Sequence, residues 1–165
     1  MSGEGAAGMP LSDPEKRAFI GPNADYYLTR WTAWAAGESA TTGFNWAAFF
    51  FNMPWLLYRR MYHIFGLVFV GSYLIGLAST FVVERFLELP LVGYQLLLRL
   101  IVALTIGSFG NFWYLRHTEQ RISAAKDGEA PRLEQLGALG GVHWWPPLLY
   151  LGFLLLNRFF LPDTP

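Results

Sequence analysis

The residues in this chain that could do chemistry are few: three histidines, His63, His117 and His143, and one arginine, Arg99, set inside an apolar run. Each histidine stands at the edge of an apolar segment, His63 opening one, His117 following the next and His143 preceding the last. If those segments alternate across a bilayer, the three imidazoles reach one face and could converge, with Glu119 nearby, on zinc or non-haem iron. No pair has the i, i+3 or i, i+4 spacing that presets two ligands on a helix, so hydrogen bonding at an interface is the plainer use of these side chains. Arg99 lies about 9 residues, or roughly 14 Å of helix, from Pro90. An ionisable group inside a span is a functional candidate by default, but a long side chain can also snorkel to the interface or approach Glu84 or Glu88 in the adjoining turn. Asn52 and Asn111, with Asn45, lie in or beside apolar runs where an amide needs partners; they tie helices together or line a small-molecule path. No phosphate-binding loop, dinucleotide fingerprint, nucleophile elbow or paired-histidine zinc motif occurs, so no catalytic residue and no cofactor is assigned.

The elements that must position these groups follow from an unusual composition. Hydrophobic residues make up 53% of the 165 positions and charged residues 15%, against about 25% charged in soluble domains. Charges gather in the first 43 positions and between Arg116 and Val142, leaving long bare runs elsewhere, as a bilayer demands. The 12 basic and 12 acidic residues cancel, so no global field points to nucleic acid. The absence of cysteine excludes disulfides and thiolate metal sites.

The expected architecture is all-α, a polytopic helical membrane protein with three spanning helices. Residues 1–22, rich in Gly, Pro and small polar residues, read as a flexible tail without the apolar stretch of a signal peptide. Residues 23–37 form an amphipathic aromatic helix, with Asn23 as N-cap, Gly37 as its stop, and Tyr27, Trp31 and Trp34 on one face. That face packs on protein or lies in the headgroup layer. The apolar core of 44–58, from Trp46 to Tyr58, is about 13 residues or about 20 Å, short of the roughly 30 Å hydrocarbon layer. With Pro54 near its middle, it reads as a kinked interfacial or re-entrant segment carrying an interfacial motif of Asn45, Trp46, Pro54, Arg59 and Arg60. The spans are 61–83, 91–115 and 146–161, the last opened by Trp144-Trp145 and Pro146-Pro147. If the first two pack as a hairpin, Gly66 and Gly107 fall at similar depth and permit close approach.

Orientation follows from the loop cations. Arg59 and Arg60 precede the first span and Arg116, Arg121, Lys126 and Arg132 lie in the 116–142 connection, against only Arg85 and Arg158 on the other side. The 116–142 connection is therefore expected in the cytoplasm and the C-terminus outside, with the N-terminus inside if 44–58 does not cross. The four cations of the connection also favour anionic lipid.

Four strings carry a resemblance: FIGPNADYYLTRW (Phe19 to Trp31), FNWAAFFFNMPWLLYRRMY (Phe44 to Tyr62), GNFWYLRHTEQRI (Gly110 to Ile122) and Gly140-Gly141. Together they resemble the uncharacterised bacterial inner-membrane proteins catalogued as domain of unknown function 2628. The resemblance implies a multi-pass protein of the bacterial inner membrane and brings no catalytic residues with it. Some members carry a fused zinc ribbon, which a chain without cysteine cannot hold.

The leading functional expectation is a non-enzymatic accessory or scaffold protein of that membrane, with lipid, another membrane protein or a second copy as partner, and no nucleic acid. A small oligomeric transporter or channel, suggested by Arg99 and the intramembrane amides, is the alternative. A membrane-bound metal-dependent enzyme using the histidines ranks third.

Overall fold

A computed structural model describes residues 13–83, 85, 91–125 and 131–160. Among them every regular element is a helix: α1 (Asp13–Ile20), α2 (Ala24–Ala35), α3 (Trp46–Phe51), α4 (Met53–Tyr58), α5 (Tyr62–Val82), α6 (Leu91–Ala124), α7 (Arg132–Leu139) and α8 (Trp145–Phe160). The expected features at Glu84, Glu88 and Lys126, and the first 12 residues of the tail, lie outside this set. The helices fall into two units, one built from the chain up to Thr42 with Trp113–Val142, the other from Gly43–Phe112 with the chain from His143 onward.

In the first unit, part of the expected tail is helical. α1 runs to Ile20 and is closed by Gly21, whose φ of 77° suits a residue without Cβ, and whose N–H donates to Arg17 O at 3.1 Å. Phe19, Ile122 and Leu136 form the core, flanked by Ala18 and Ala125. Those partners lie more than 100 residues from Phe19 in sequence, so the local Gly/Pro-rich composition gave no hint of them. α2 begins one residue after Asn23, which occupies the cap position without a side-chain capping bond. Its end is a Schellman turn: Glu38 N donates to Ala33 O and Gly37 N to Trp34 O, with Gly37 at φ 75°. Ala24, Tyr27, Leu28 and Trp31 form the buried face, at helical spacing. α7 follows Pro131 and stops at Gly140-Gly141, where Gly141 N donates to Phe19 O at 2.6 Å.

In the second unit, the 44–58 segment is two short helices rather than one kinked helix. The break is at Asn52, with φ 50° and ψ −124°, and Pro54 sits in the first turn of α4. There its missing N–H removes no interior bond, so the expected penalty at Pro54 is absent. α5, 21 residues without a charge, buries none of them. α6 is 34 residues long, about 51 Å, so the polarity change near Arg116 is not the end of the helix. By length and composition α5 and α6 could each cross a membrane. α8, at 16 residues, is about 24 Å long, with Pro146 and Pro147 in its first turn.

The small residues of α6 receive the α3–α4 segment. A Cβ on Gly107 would lie 2.6 Å from the Phe44 ring, and one on Gly110 would lie 3.1 Å from the Ala48 Cβ. Gly66 faces open space instead, so the expected Gly66–Gly107 approach gives way to aromatic packing on Gly107. α4 packs against α5 and α8.

Gly140 offers a direct test of the first unit, because a Cβ there would lie 2.0 Å from Phe19 O and 2.8 Å from Phe19 Cγ. Gly140→Ala should lower stability by about 2–3 kcal/mol, as overpacking against backbone does, read by denaturant titration. An unchanged midpoint would show that α1 does not seat on Gly140.

Candidate functional site

Two clusters of polar and aromatic side chains deserve the name of candidate site, one in each unit. In the second unit Asn45 and Asn111 are both fully buried. Asn45 Oδ1 accepts from Ala48 N at 2.9 Å and so caps α3, while Asn45 Nδ2 donates to Asn111 Oδ1 at 2.8 Å. Asn111 Nδ2 donates to Gly43 O at 3.0 Å, and Asn45 N donates to Gly107 O at 2.8 Å. The α3 entry is thus laced to α6 by a connected set of bonds. Such amides are worth most where water cannot compete.

Asn52 plays a different part. Its backbone adopts a conformation costly for a residue with a Cβ, and its Oδ1 is buried with no hydrogen-bond partner among the described residues. With Pro54 it lines one end of a groove of about 810 Å3 whose walls are Phe69 to Phe81 of α5, Tyr94 to Val102 of α6, and Tyr150 and Leu154 of α8. Arg99 lies on that wall and is exposed. Trp46 is exposed, stacked on Phe50 with centroids 6.0 Å apart, while Phe50 and Phe51 point outward as well. Arg59 is 3% exposed, its guanidinium 5.5 Å from the Tyr58 ring centroid, and Arg60 follows with φ 58°. The two adjacent cations therefore differ: Arg59 is taken into the fold rather than left facing solvent.

The first unit holds an aromatic cluster. Tyr114, fully buried, meets Tyr27 edge-on at 4.8 Å and Trp31 at 5.9 Å. His117, one turn later, lies parallel to Tyr114 at 6.5 Å and tilted to Phe19 at 6.2 Å. Burial, with Arg121 adding repulsion, pushes the imidazole down from 6.5 to about 4, so it is neutral near pH 7. Thr118, fully buried, has a hydroxyl without a hydrogen-bond partner among the described residues. Arg132 joins three elements: Nε donates to Glu15 Oε1 at 2.7 Å, and the two terminal nitrogens reach Ala125 O and Ile122 O at 3.3 and 3.4 Å. A cation closing the carbonyl end of α6 suits the helix dipole. Glu119 pairs with Arg116 at 3.6 Å.

The three histidines have different surroundings. His63 is exposed at the start of α5, and His143 Nδ1 lies 3.0 Å from the Tyr62 hydroxyl in the second unit, whereas His117 belongs to the aromatic cluster of the first. Among the described residues no group of three or more His, Asp or Glu is placed to hold a metal ion. Nothing in the sequence singles out Tyr114, Phe19 or Glu15, or marks Arg132 as more than a loop cation, because their partners are remote; Phe19 and Tyr114 do open or sit within the resembling strings.

The comparisons bear on this arrangement. The model of a family described as protein of unknown function (DUF2628) matches residues 12–121, about two-thirds of the chain. The chain belongs to the DUF2628 family. No curated protein and no solved structure matches it. The DUF2628 match takes in α1 to α5 and α6 as far as Arg121, hence the amide tie, Arg99 and most of the aromatic cluster.

Two outcomes test these clusters. Asn45→Ala removes the α3 cap and leaves Asn111 without its amide donor, which should cost about 2–4 kcal/mol, while adding Asn111→Ala to it should cost less than the sum of the single changes. Strict additivity in that cycle, read by thermal unfolding in detergent, would show that the two amides act separately. Because the folded-state pKa of His117 is below the unfolded value, its contribution is complete above about pH 6.5 and is lost as the pH falls from there through about 4. The Tm advantage of the unaltered chain over His117→Phe should shrink across that window; an advantage constant with pH would contradict it.

Proposed function

We propose that this DUF2628 protein is a multi-pass helical protein of the bacterial inner membrane, acting as a non-enzymatic accessory or scaffold component. The observation that carries the reading is α5: 21 uncharged, largely apolar residues with none buried in the fold. Apolar faces of this extent require a cover, and hydrocarbon is the one that suits a bare helix of this length. α5, the apolar part of α6 and the shorter α8 are the three spans. Trp144 and Trp145, both exposed, mark the interface at which α8 enters.

The first unit supports one topology. Residues 13–42 fold together with 113–125 and 131–142, so these stretches lie on the same side of the bilayer. An even number of crossings must then separate them; α5 and α6 provide two, and α3–α4 returns to the side it left. Exposed Trp46, Phe50 and Phe51 fit a segment resting in the headgroup layer. The cations of 116–142 favour the cytoplasm for that side, which leaves the C-terminus outside. Since the aromatic face of α2 is occupied by Tyr114 of the same chain, the surface left for a partner is the bare faces of the spanning helices.

A second reading, an oligomeric transporter or channel, is favoured by the groove that carries Arg99. A monomer without flux in liposomes would dispose of it. A partner that reproducibly crosslinks and co-purifies supports the scaffold reading, and an isolated monomer after gentle extraction counts against it.

Because the chain has no cysteine, single introduced thiols report topology directly. Ser39→Cys and Glu134→Cys should react with an impermeant maleimide only from the cytoplasmic side, and Arg85→Cys only from the opposite side, with the protein resisting alkaline carbonate. Opposite labelling of positions 39 and 134 would overturn the topology, and release by carbonate would overturn the membrane reading itself.

A further inference from the structure

We propose that the groove between α5 and α6 binds one anionic phospholipid, its phosphate paired with Arg99 and its acyl chains laid along the apolar wall; this rests on the membrane reading above. The first ground is the gap itself. α5 and α6 follow one another in the chain, and between them and α8 lies a cavity of about 810 Å3. An empty space of that size beside packed helices forfeits dispersion contacts on every wall. In a bilayer it is filled by acyl chains.

The second ground is the character of the wall. Leu77, Leu98 and Val102 make it apolar, and the single charge on it among the described residues is Arg99, with Gln95 one turn earlier on the same helix face. Among the described residues that line the groove there is no Asp or Glu to answer Arg99. A guanidinium in such surroundings is a strong receptor for a phosphate, which it can engage through two parallel N–H donors. Arg99 lies about 12 Å along the helix from Leu91, and its stem lets the charge rise toward the phosphate layer while its methylenes stay against the groove.

The third ground selects the occupant. A second copy of the chain could fill the groove with apolar side chains, but α5, α8 and residues 91–115 contain no Asp or Glu to set against Arg99. A soluble anion would have to leave water to reach a wall that is mostly hydrocarbon. An anionic phospholipid brings both the chains and the charge. Gly76 keeps the groove open: a Cβ there would meet only Leu98 Cδ2, at 3.9 Å, so a larger side chain has room to occupy the lipid's place without disturbing the backbone.

The test is native mass spectrometry of the full chain, extracted after reconstitution into vesicles of equimolar phosphatidylethanolamine and phosphatidylglycerol, with resistance to alkaline carbonate checked on the same vesicles. One phosphatidylglycerol per chain should be retained, about tenfold over phosphatidylethanolamine, as expected of one charge-assisted contact. Arg99→Leu should abolish the selectivity and Gly76→Leu the retention, both with unchanged helix content. Equal retention of the two lipids, selectivity that survives Arg99→Leu, or a lipid-free dimer would overturn the proposal while leaving the membrane reading intact. Selectivity that emerges only after Glu84→Gln with Glu88→Gln would also overturn it, by showing that Arg99 is satisfied within the chain. Release by carbonate would remove the membrane reading and the lipid site together.

Discussion

The hydrogen bond between Asn45 and Asn111 is the constraint on which the second unit depends. An amide buried among apolar side chains has no water to fall back on, so its partner fixes its position. Asn45 meets that requirement in two directions, capping α3 with its oxygen and binding α6 with its nitrogen. Once α3 is held there, Phe44 must lie over Gly107 and Ala48 over Gly110. The chain then turns back at Asn52, and α4 is brought against α5 and α8. The groove wall at Asn52 and Pro54 is a product of that sequence of constraints.

What could be read from the sequence was whatever depends on local pattern. Helices at 61–83 and 91–115 follow from uninterrupted apolar runs, the end of α2 from Gly37, and the entry to α8 from Pro146-Pro147. The face of Tyr27 and Trp31 was legible from its spacing, although the residue that covers it, Tyr114, was not. Charge density changes near Arg116, but the sequence also reads as a helix extending through Glu119 to Lys126, and the hydrogen-bond ladder of α6 continues to Ala124. Backbone continuity and polarity are different quantities.

The candidate sites were less legible, for a related reason. Asn45, Asn52 and Asn111 could be singled out as amides in apolar surroundings, but nothing in their spacing separates the two that bind each other from the one left with an unpartnered oxygen. The three histidines show the limit from the other direction. Similar positions at segment ends suggested a common fate, yet one is exposed, one lies beside Tyr62 and one is desolvated among aromatic rings. By position Arg132 is one loop cation among four. Its bonds to Glu15 and to the carbonyl end of α6 give it a stapling role that no local window could contain.

The first unit is discontinuous in sequence, and that has a kinetic consequence. Phe19, Tyr27 and Trp31 leave the ribosome early, but Tyr114 is made only in the second half of α6 and the Gly140-Gly141 seat for Phe19 later still. At ordinary synthesis rates the delay is on the order of ten seconds. Throughout that interval the aromatic side chains of α2 lack the surface that buries them. The nascent N-terminal segment thus carries an uncovered aromatic face until the last third of the protein arrives to receive it.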